Sequence, residues 1–289
     1  MSTNIHAEQK PLIYQIGKHV KLVDDATFCK SIIADGKELI TGEEYGAIRV
    51  LELKDEKVYI TFKEDLTSLA NAFSGCSALK SIPENLFANC PKATDFSFTF
   101  FGCKALTAIP EGLFANNPKV TIFQGTFSYC SALKSLPANL FANNRKVNSF
   151  RLTFSGCSAL ESIPENLVAS NPAVTDFGST FSNCSALATI PEKLFANCPK
   201  VTSFSRTFLA CKTLKSVPAG LFDNNRKVTD FGSRFYGLFQ NCSALTGESP
   251  YTVIDGQKVH LYERANYPEH FTACLLYTSD AADDRISVD

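Results

Sequence analysis

The stretch FSGCSALKSIPENLFANCPKATDFSFT, Phe73 to Thr99, decides how this chain is read, because another version of it follows at once. Steps of 27 residues from Phe73 land on Phe100, Phe127, Phe154, Phe181, Phe208 and Phe235. The same step carries Cys76 to Cys103, Cys130, Cys157, Cys184 and Cys211, and the column resumes at Cys242 after a four-residue insertion. A fixed period of this length marks a stacked-repeat architecture, in which one unit cannot bury its apolar face alone and its neighbours complete the core. Leu79 recurs as Leu106, Leu133, Leu160, Leu187 and Leu214, and Ala93 as Val120, Val147, Val174, Val201 and Val228.

Within one unit a second echo appears. Phe73-x-x-Cys76-x-x-Leu79-x-x-Ile82 is answered by Phe87-x-x-Cys90-x-x-Ala93-x-x-Phe96. The Leu-x-x-Ile step has room only for a brief strand, which Pro83, Pro110, Pro137, Pro164, Pro191 and Pro218 stop each time. Proline lacks the N–H that would continue a ladder but suits the first turn of a helix. The segment after it, Pro-Glu-Asn-Leu-Phe-Ala-Asn, is therefore predicted as a helix of one to two turns with Leu86 and Phe87 facing inward. Phe96, Phe100 and Cys103 fall at helical spacing and predict a second short helix.

Leu-x-x-Leu strands, an Asn/Cys slot and an irregular or helical return are shared with leucine-rich repeats. The phrase Phe-x-x-Cys-x-x-Leu-x-x-Ile resembles the BspA-like leucine-rich repeats of bacterial surface proteins, in a variant with a 27-residue unit. The expected fold is then an α/β, leucine-rich-repeat-like solenoid of about six to seven 27-residue coils. It would have short parallel strands, short helices and a β-rich N-terminal cap. The resemblance implies a cell-surface or secreted protein with a non-catalytic role in adhesion or protein interaction. Its ligand would be a protein or glycan of unknown identity. The alternative is a structural spacer, or a targeting arm for a missing, possibly enzymatic, C-terminal domain.

The remaining segments divide as follows. Residues 1–66 carry strand-like stretches at Pro11 to Ile16 and Val20 to Val23, and an expected hairpin from Ile48 to Phe62 around Lys54-Asp55-Glu56-Lys57. They suit a cap, because the first coil would otherwise expose its core. The array spans 67–246. In 247–273, Asp255-Gly256 between two β-rich arms predicts a two-residue hairpin turn. The tail 274–289 opens with CLLYTSDAADD (Cys274 to Asp284), which resembles a translated sequencing adapter more than a natural protein end.

The totals exclude several classes. With 28 basic and 29 acidic residues the formal charge is −1, which gives no cause to expect nucleic acid or an anionic membrane as partner. No apolar run approaches the roughly 18 residues of a membrane span. The opening MSTNIHAEQKPLIYQIGKHV lacks the order of a signal peptide, so the chain as written reads as soluble, unexported and monomeric. The eleven cysteines form columns and not complementary pairs, which predicts buried free thiols. Cys90 and Cys198 share their slot with Asn117, Asn144, Asn171 and Asn225, as expected of a small side chain that hydrogen-bonds to backbone.

Catalysis finds no constellation. His6, His19, His260 and His270 all lie outside the array, and no cysteine spacing suits zinc. No phosphate-cradling glycine motif occurs, so no cofactor is expected. Glu84, Glu111, Glu165 and Glu192 follow proline, where the dipole of the expected helix would favour a negative charge. The phenylalanine and cysteine columns are assigned to the core, since exposing them would create an apolar patch that soluble monomers do not tolerate. Two exposed columns remain as candidate binding surface. One is Lys92, Lys119, Lys146, Lys200 and Lys227, with Arg145 and Arg226 alongside and Ala173 interrupting. The other, beside the Leu-x-x-Ile step, is Lys80, Thr107, Lys134, Glu161 and Lys215.

Overall fold

A computed structural model describes residues 10–40, 46–232 and 237–261. Nine strands are named in chain order. They are β1 (Leu12–Tyr14), β2 (Gly17–Val23), β3 (Cys29–Ala34), β4 (Lys37–Glu38), β5 (Ile48–Leu53), β6 (Lys57–Phe62), β7 (Leu79–Ser81), β8 (Tyr251–Ile254) and β9 (Gln257–His260). Five of them form one sheet in the order β4-β3-β6-β1-β7, and β2 pairs with β5 in a sheet of two.

The first sheet joins the N-terminal segment to the repeats. In β6 Val58, Ile60 and Phe62 alternate inward, the pattern of a strand with one face on the core. β1 lies between β6 and β7, antiparallel to both, with Ile13 opposite Ser81 and Tyr14 opposite Leu79. Its neighbour Gln15 donates to Ala78 O at 2.7 Å. Phe62 then lays its ring against Phe73 at 6.0 Å and Phe87 at 5.5 Å, covering the apolar end of the first repeat.

β5 and β6 do not form the hairpin expected between Ile48 and Phe62. β5 pairs with β2, whereas both edges of β6 are taken by β3 and β1. The turn between them is tied elsewhere: Lys54 N and Asp55 N both donate to the Asp35 carboxylate, at 3.0 and 2.6 Å. β8 and β9 do pair, with Ile254 opposite Gln257 across Asp255-Gly256.

The α/β solenoid with short helices expected from the sequence is not what the chain forms. Among the described residues there is no α-helix, and the one helical element is a single 3-10 turn, Ala26–Phe28. Sheet, isolated bridges and turns make up the rest. After Pro83 the chain closes separate turns, Leu86 N to Pro83 O and Ala88 N to Asn85 O, each bond reaching back three residues. A helix of so few residues gains too little to offset its nucleation. Over the second predicted helix, Phe96 N, Phe98 N, Phe100 N and Gly102 N donate to Ile122 O, Gln124 O, Thr126 O and Ser128 O of the following repeat. Phe98 and Gly102 sit at φ +55° and +67°, which a right-handed helix excludes.

The expected parallel strands at Leu-x-x-Ile are absent too, and β7, where that step does form a strand, runs antiparallel to β1. Later repeats place one backbone bond there, as from Glu161 N to Lys134 O at 3.1 Å. Parallel pairing occurs instead as single bridges from Ser68 to Asp95, Ile122, Ser149, Asp176, Ser203 and Asp230 in turn. Those bridges hold successive repeats side by side in register.

Register aligns the side chains. Phe73, Phe100, Phe127, Phe154, Phe181 and Phe208 are at most 1% exposed and stack face to face, with ring centres 5.3–5.8 Å apart. The next member is Phe239, 5.6 Å from Phe208, not Phe235, which lies outside the described residues. The insertion that displaces Cys242 displaces the phenylalanine slot with it. A second stack, Phe87, Phe114 and Phe141, is interrupted by Val168 and resumes at Phe195 and Phe222. A third runs from Phe96 through Phe123, Phe150, Phe177 and Phe204 to Phe231.

Truncating one ring of the first stack, Phe127→Ala, is expected to cost about 3–5 kcal/mol by loss of burial and formation of a cavity. Val168→Phe, which completes the second stack, is expected to stabilise by about 1 kcal/mol. Urea unfolding of both variants checks the pair.

Candidate functional site

Three side-chain columns tie the repeats together from inside and fix what is left for the surface. Cys103 Sγ donates to Phe73 O at 3.3 Å, and Cys130, Cys157, Cys184 and Cys211 repeat the bond one unit further on. Thr99, Thr126, Thr153, Thr180 and Thr207 reach two carbonyls each, such as Phe96 O and Leu69 O from Thr99. Asn117, Asn144, Asn171 and Asn225 donate Nδ2 into the preceding repeat, Asn117 to Cys90 O at 2.8 Å. Cys198 fills that slot with longer contacts of 3.7 and 3.8 Å, as a weakly donating thiol does.

The ten cysteines of the described residues are free and buried. Burial pushes Cys90 up to about 11, and Cys29, Cys76, Cys157 and Cys198 to about 12. Cys103, Cys130 and Cys184 also lie well above the ordinary value for the same reason. Cys211 and Cys242 act as a pair, each through the sulfur of the other: Cys211 is shifted up and Cys242 down. A thiolate is the nucleophile, so most of the column is inert.

Each repeat also carries two slots with left-handed backbone. One holds Phe98, Gly125, Leu152, Ser179 and Arg206, the other Gly75, Gly102, Tyr129, Gly156, Asn183 and Ala210, all at φ between +55° and +75°. Glycine takes this conformation freely, whereas a bulky L-residue is disfavoured by about 1–2 kcal/mol. A neighbouring slot holds Asp95, Ser149, Asp176, Ser203 or Asp230, whose side chains accept from the N–H two residues on, as Asp95 does from Ser97 at 2.8 Å.

Aromatic side chains interrupt this small, polar face in one place. Phe98 and Phe101 are half-buried, and Tyr129 is 50% exposed. Phe101 meets Phe98 at 6.0 Å and Tyr129 at 5.5 Å, both edge to face. Sequence reasoning missed this cluster. Aligning the repeats would have found it, because other units hold Ser, Gly, Asn or a non-aromatic residue at the same slots.

The basic residues named from the sequence lie on the surface. Lys92, Lys119, Lys146, Lys200, Lys227, Arg145 and Arg226 are exposed, and Lys92 pairs with Asp65. Thr107, Lys134, Glu161 and Lys215 are exposed and Lys80 half-buried; backbone bonds link Lys80 O to Thr107 N and Lys134 O to Glu161 N. Among the described residues no group of three or more His, Cys, Asp and Glu side chains is placed to hold a metal ion. No helix of the described residues is long and apolar enough to cross a membrane. His260 contacts Ser249 O at 3.1 Å, beside Glu248.

No protein-family model matches the chain, and no curated protein matches it. Among solved structures it is similar to a leucine-rich repeat protein from Bacteroides ovatus, with 22% identity over 75% of this chain and 68% of that one, and a TM-score of 0.30. It is also similar to a chain of the Drosophila Toll–Spatzle complex, at 16% identity, covering 53% of this chain and 28% of that one, with a TM-score of 0.19. At those TM-scores neither likeness assigns a family or a role to this chain.

The raised thiols set a pH dependence. The folded state holds its thiol protons above pH 9, where the unfolded chain releases them, so stability is complete below about pH 8.5 and falls as pH rises toward 12. Thermal melts between pH 7 and 11 are expected to show a Tm that declines from about pH 9. Iodoacetamide at pH 8 should modify Cys242 first and leave the rest of the column unmodified until the chain is denatured.

Proposed function

We propose that this chain is a non-catalytic binding scaffold, with stacked 27-residue units presenting a surface to a protein partner. The supporting observation is the division of labour among slots. Inward positions hold the same Phe, Leu, Thr and Cys residues from unit to unit, whereas the exposed column beside the Leu-x-x-Ile step changes between Lys, Thr, Glu and Ala, and the other exposed column keeps Lys in five units with Ala173 interrupting. A core that depends only on inward slots leaves the outer ones free to specify a ligand. On this reading residues 1–66 cap the array of 67–246, and 247–273 closes or extends it. The resemblance of the repeats to BspA-like units fits a bacterial surface or secreted protein that mediates adhesion as a monomer.

The lysine column is the part of that surface assigned to docking. Five lysines at one slot, with Arg145 and Arg226 beside them, offer positive charge that suits an acidic protein face. The test is surface plasmon resonance against a panel of immobilised host matrix proteins. The triple variant Lys119→Glu, Lys146→Glu, Lys200→Glu is expected to weaken binding at least tenfold, and wild-type affinity should fall with salt. Binding unchanged in the triple variant clears the column of any role; no binding to any matrix protein contradicts adhesion to host matrix.

A further inference from the structure

The cluster of Phe98, Phe101 and Tyr129 is placed where it does nothing for the core. Phe98 and Tyr129 stand in left-handed slots that neighbouring repeats fill with Gly125, Gly102 and Gly156. Aromatic residues there strain the backbone, while glycine would relieve it. The rings are nonetheless held in place. A Cβ on Gly125 would lie 2.4 Å from the Phe98 ring, and one on Gly156 would lie 2.7 Å from the Tyr129 ring. Each ring therefore packs over the bare backbone of the next repeat, which fixes its orientation before any ligand arrives.

We propose that these three rings form a stacking platform for a neutral saccharide. Three features select that occupant. The flanking charges balance: Lys21 faces Asp24 on one side, and Arg151 faces Asp176 at 3.9 Å on the other. Asp95 and Lys104, each three residues from one of the rings and opposite in sign, leave the surroundings without a net charge to call for an ionic ligand. The backbone N–H groups of Phe98, Gly102 and Tyr129 are all bonded to the next repeat, so the platform offers no main-chain donors to an extended peptide. What it offers is ring surface, the Tyr129 phenol and the amide of Gln124, whose backbone carbonyl accepts from Phe98 N; both groups donate and accept, as sugar hydroxyls do. The C–H face of a pyranose stacks on an aromatic ring while its edge hydroxyls meet those groups. A second copy of the chain fits less well. The exposed part of three rings is on the order of 200 Å², against roughly 600 Å² per partner in a stable interface.

This platform is independent of the lysine column, and the two can fail separately. The test uses the full chain in native affinity electrophoresis through gels containing xyloglucan, yeast mannan or a mixed-linkage β-glucan. Retardation by at least one polysaccharide is expected, and Phe98→Gly, Phe101→Ser, Tyr129→Gly together should abolish it. Those replacements are the residues that other repeats carry, so Tm should hold or rise. The lysine triple variant should migrate as wild type does in these gels. No retardation in any gel, or retardation that survives the aromatic triple variant, overturns the proposal. So does binding of a polyproline peptide, or dimerisation in analytical ultracentrifugation, that the same triple variant abolishes.

Discussion

The structure depends on backbone hydrogen bonds that each repeat makes to the next, alternating with turn bonds within itself. Four alternate N–H groups per unit, as at Phe96, Phe98, Phe100 and Gly102, donate outward to carbonyls of the following unit. Such a pattern needs the chain to turn between donors, and the paired left-handed residues do the turning. Once the register is set, identical side chains meet identical side chains, and the phenylalanine stacks follow. The aromatic columns contribute much of the apolar burial, but the spacing that lets them stack comes from the backbone.

That arrangement explains how little regular secondary structure the repeats contain. A helix would satisfy the same N–H groups internally and leave nothing to join one unit to the next. Short turns closed over three residues, with bridges between units, satisfy the buried backbone without it. The side-chain columns of Thr, Cys and Asn then reach carbonyls that the turns leave over. The thiols, hydroxyls and amide nitrogens of these columns are thereby matched, whereas Oδ1 of Asn117, Asn144, Asn171 and Asn225 is buried without a partner, and ligand specificity is left to residues outside the array.

The periodicity made the stacking and its inward residues legible, because Phe, Leu and Cys recur where one apolar face must be covered. The local conformation was not legible. Phe96, Phe100 and Cys103 carry helical spacing, yet nothing in residue type reveals that Phe98 lies at positive φ, a state that bulky residues seldom adopt. The proline after each Leu-x-x-Ile step was read as a helix start when it begins a turn. The Ile48 to Phe62 hairpin failed because β2 takes the edge of β5, and β3 and β1, distant in sequence, take both edges of β6. At the surface, the lysine column stood out by charge. The cluster of Phe98, Phe101 and Tyr129 was hidden by the abundance of phenylalanine elsewhere, and only its slots set it apart.

The most direct measurement is of scalar couplings across the hydrogen bonds, by NMR on deuterated, 15N,13C-labelled protein. The account predicts couplings from Gly102 N to Ser128 C′, Tyr129 N to Ser155 C′ and Gly156 N to Ser182 C′, each joining one repeat to the next. Couplings from those nitrogens to carbonyls four residues earlier would contradict it, because the repeats would then be helical and held together by side chains alone.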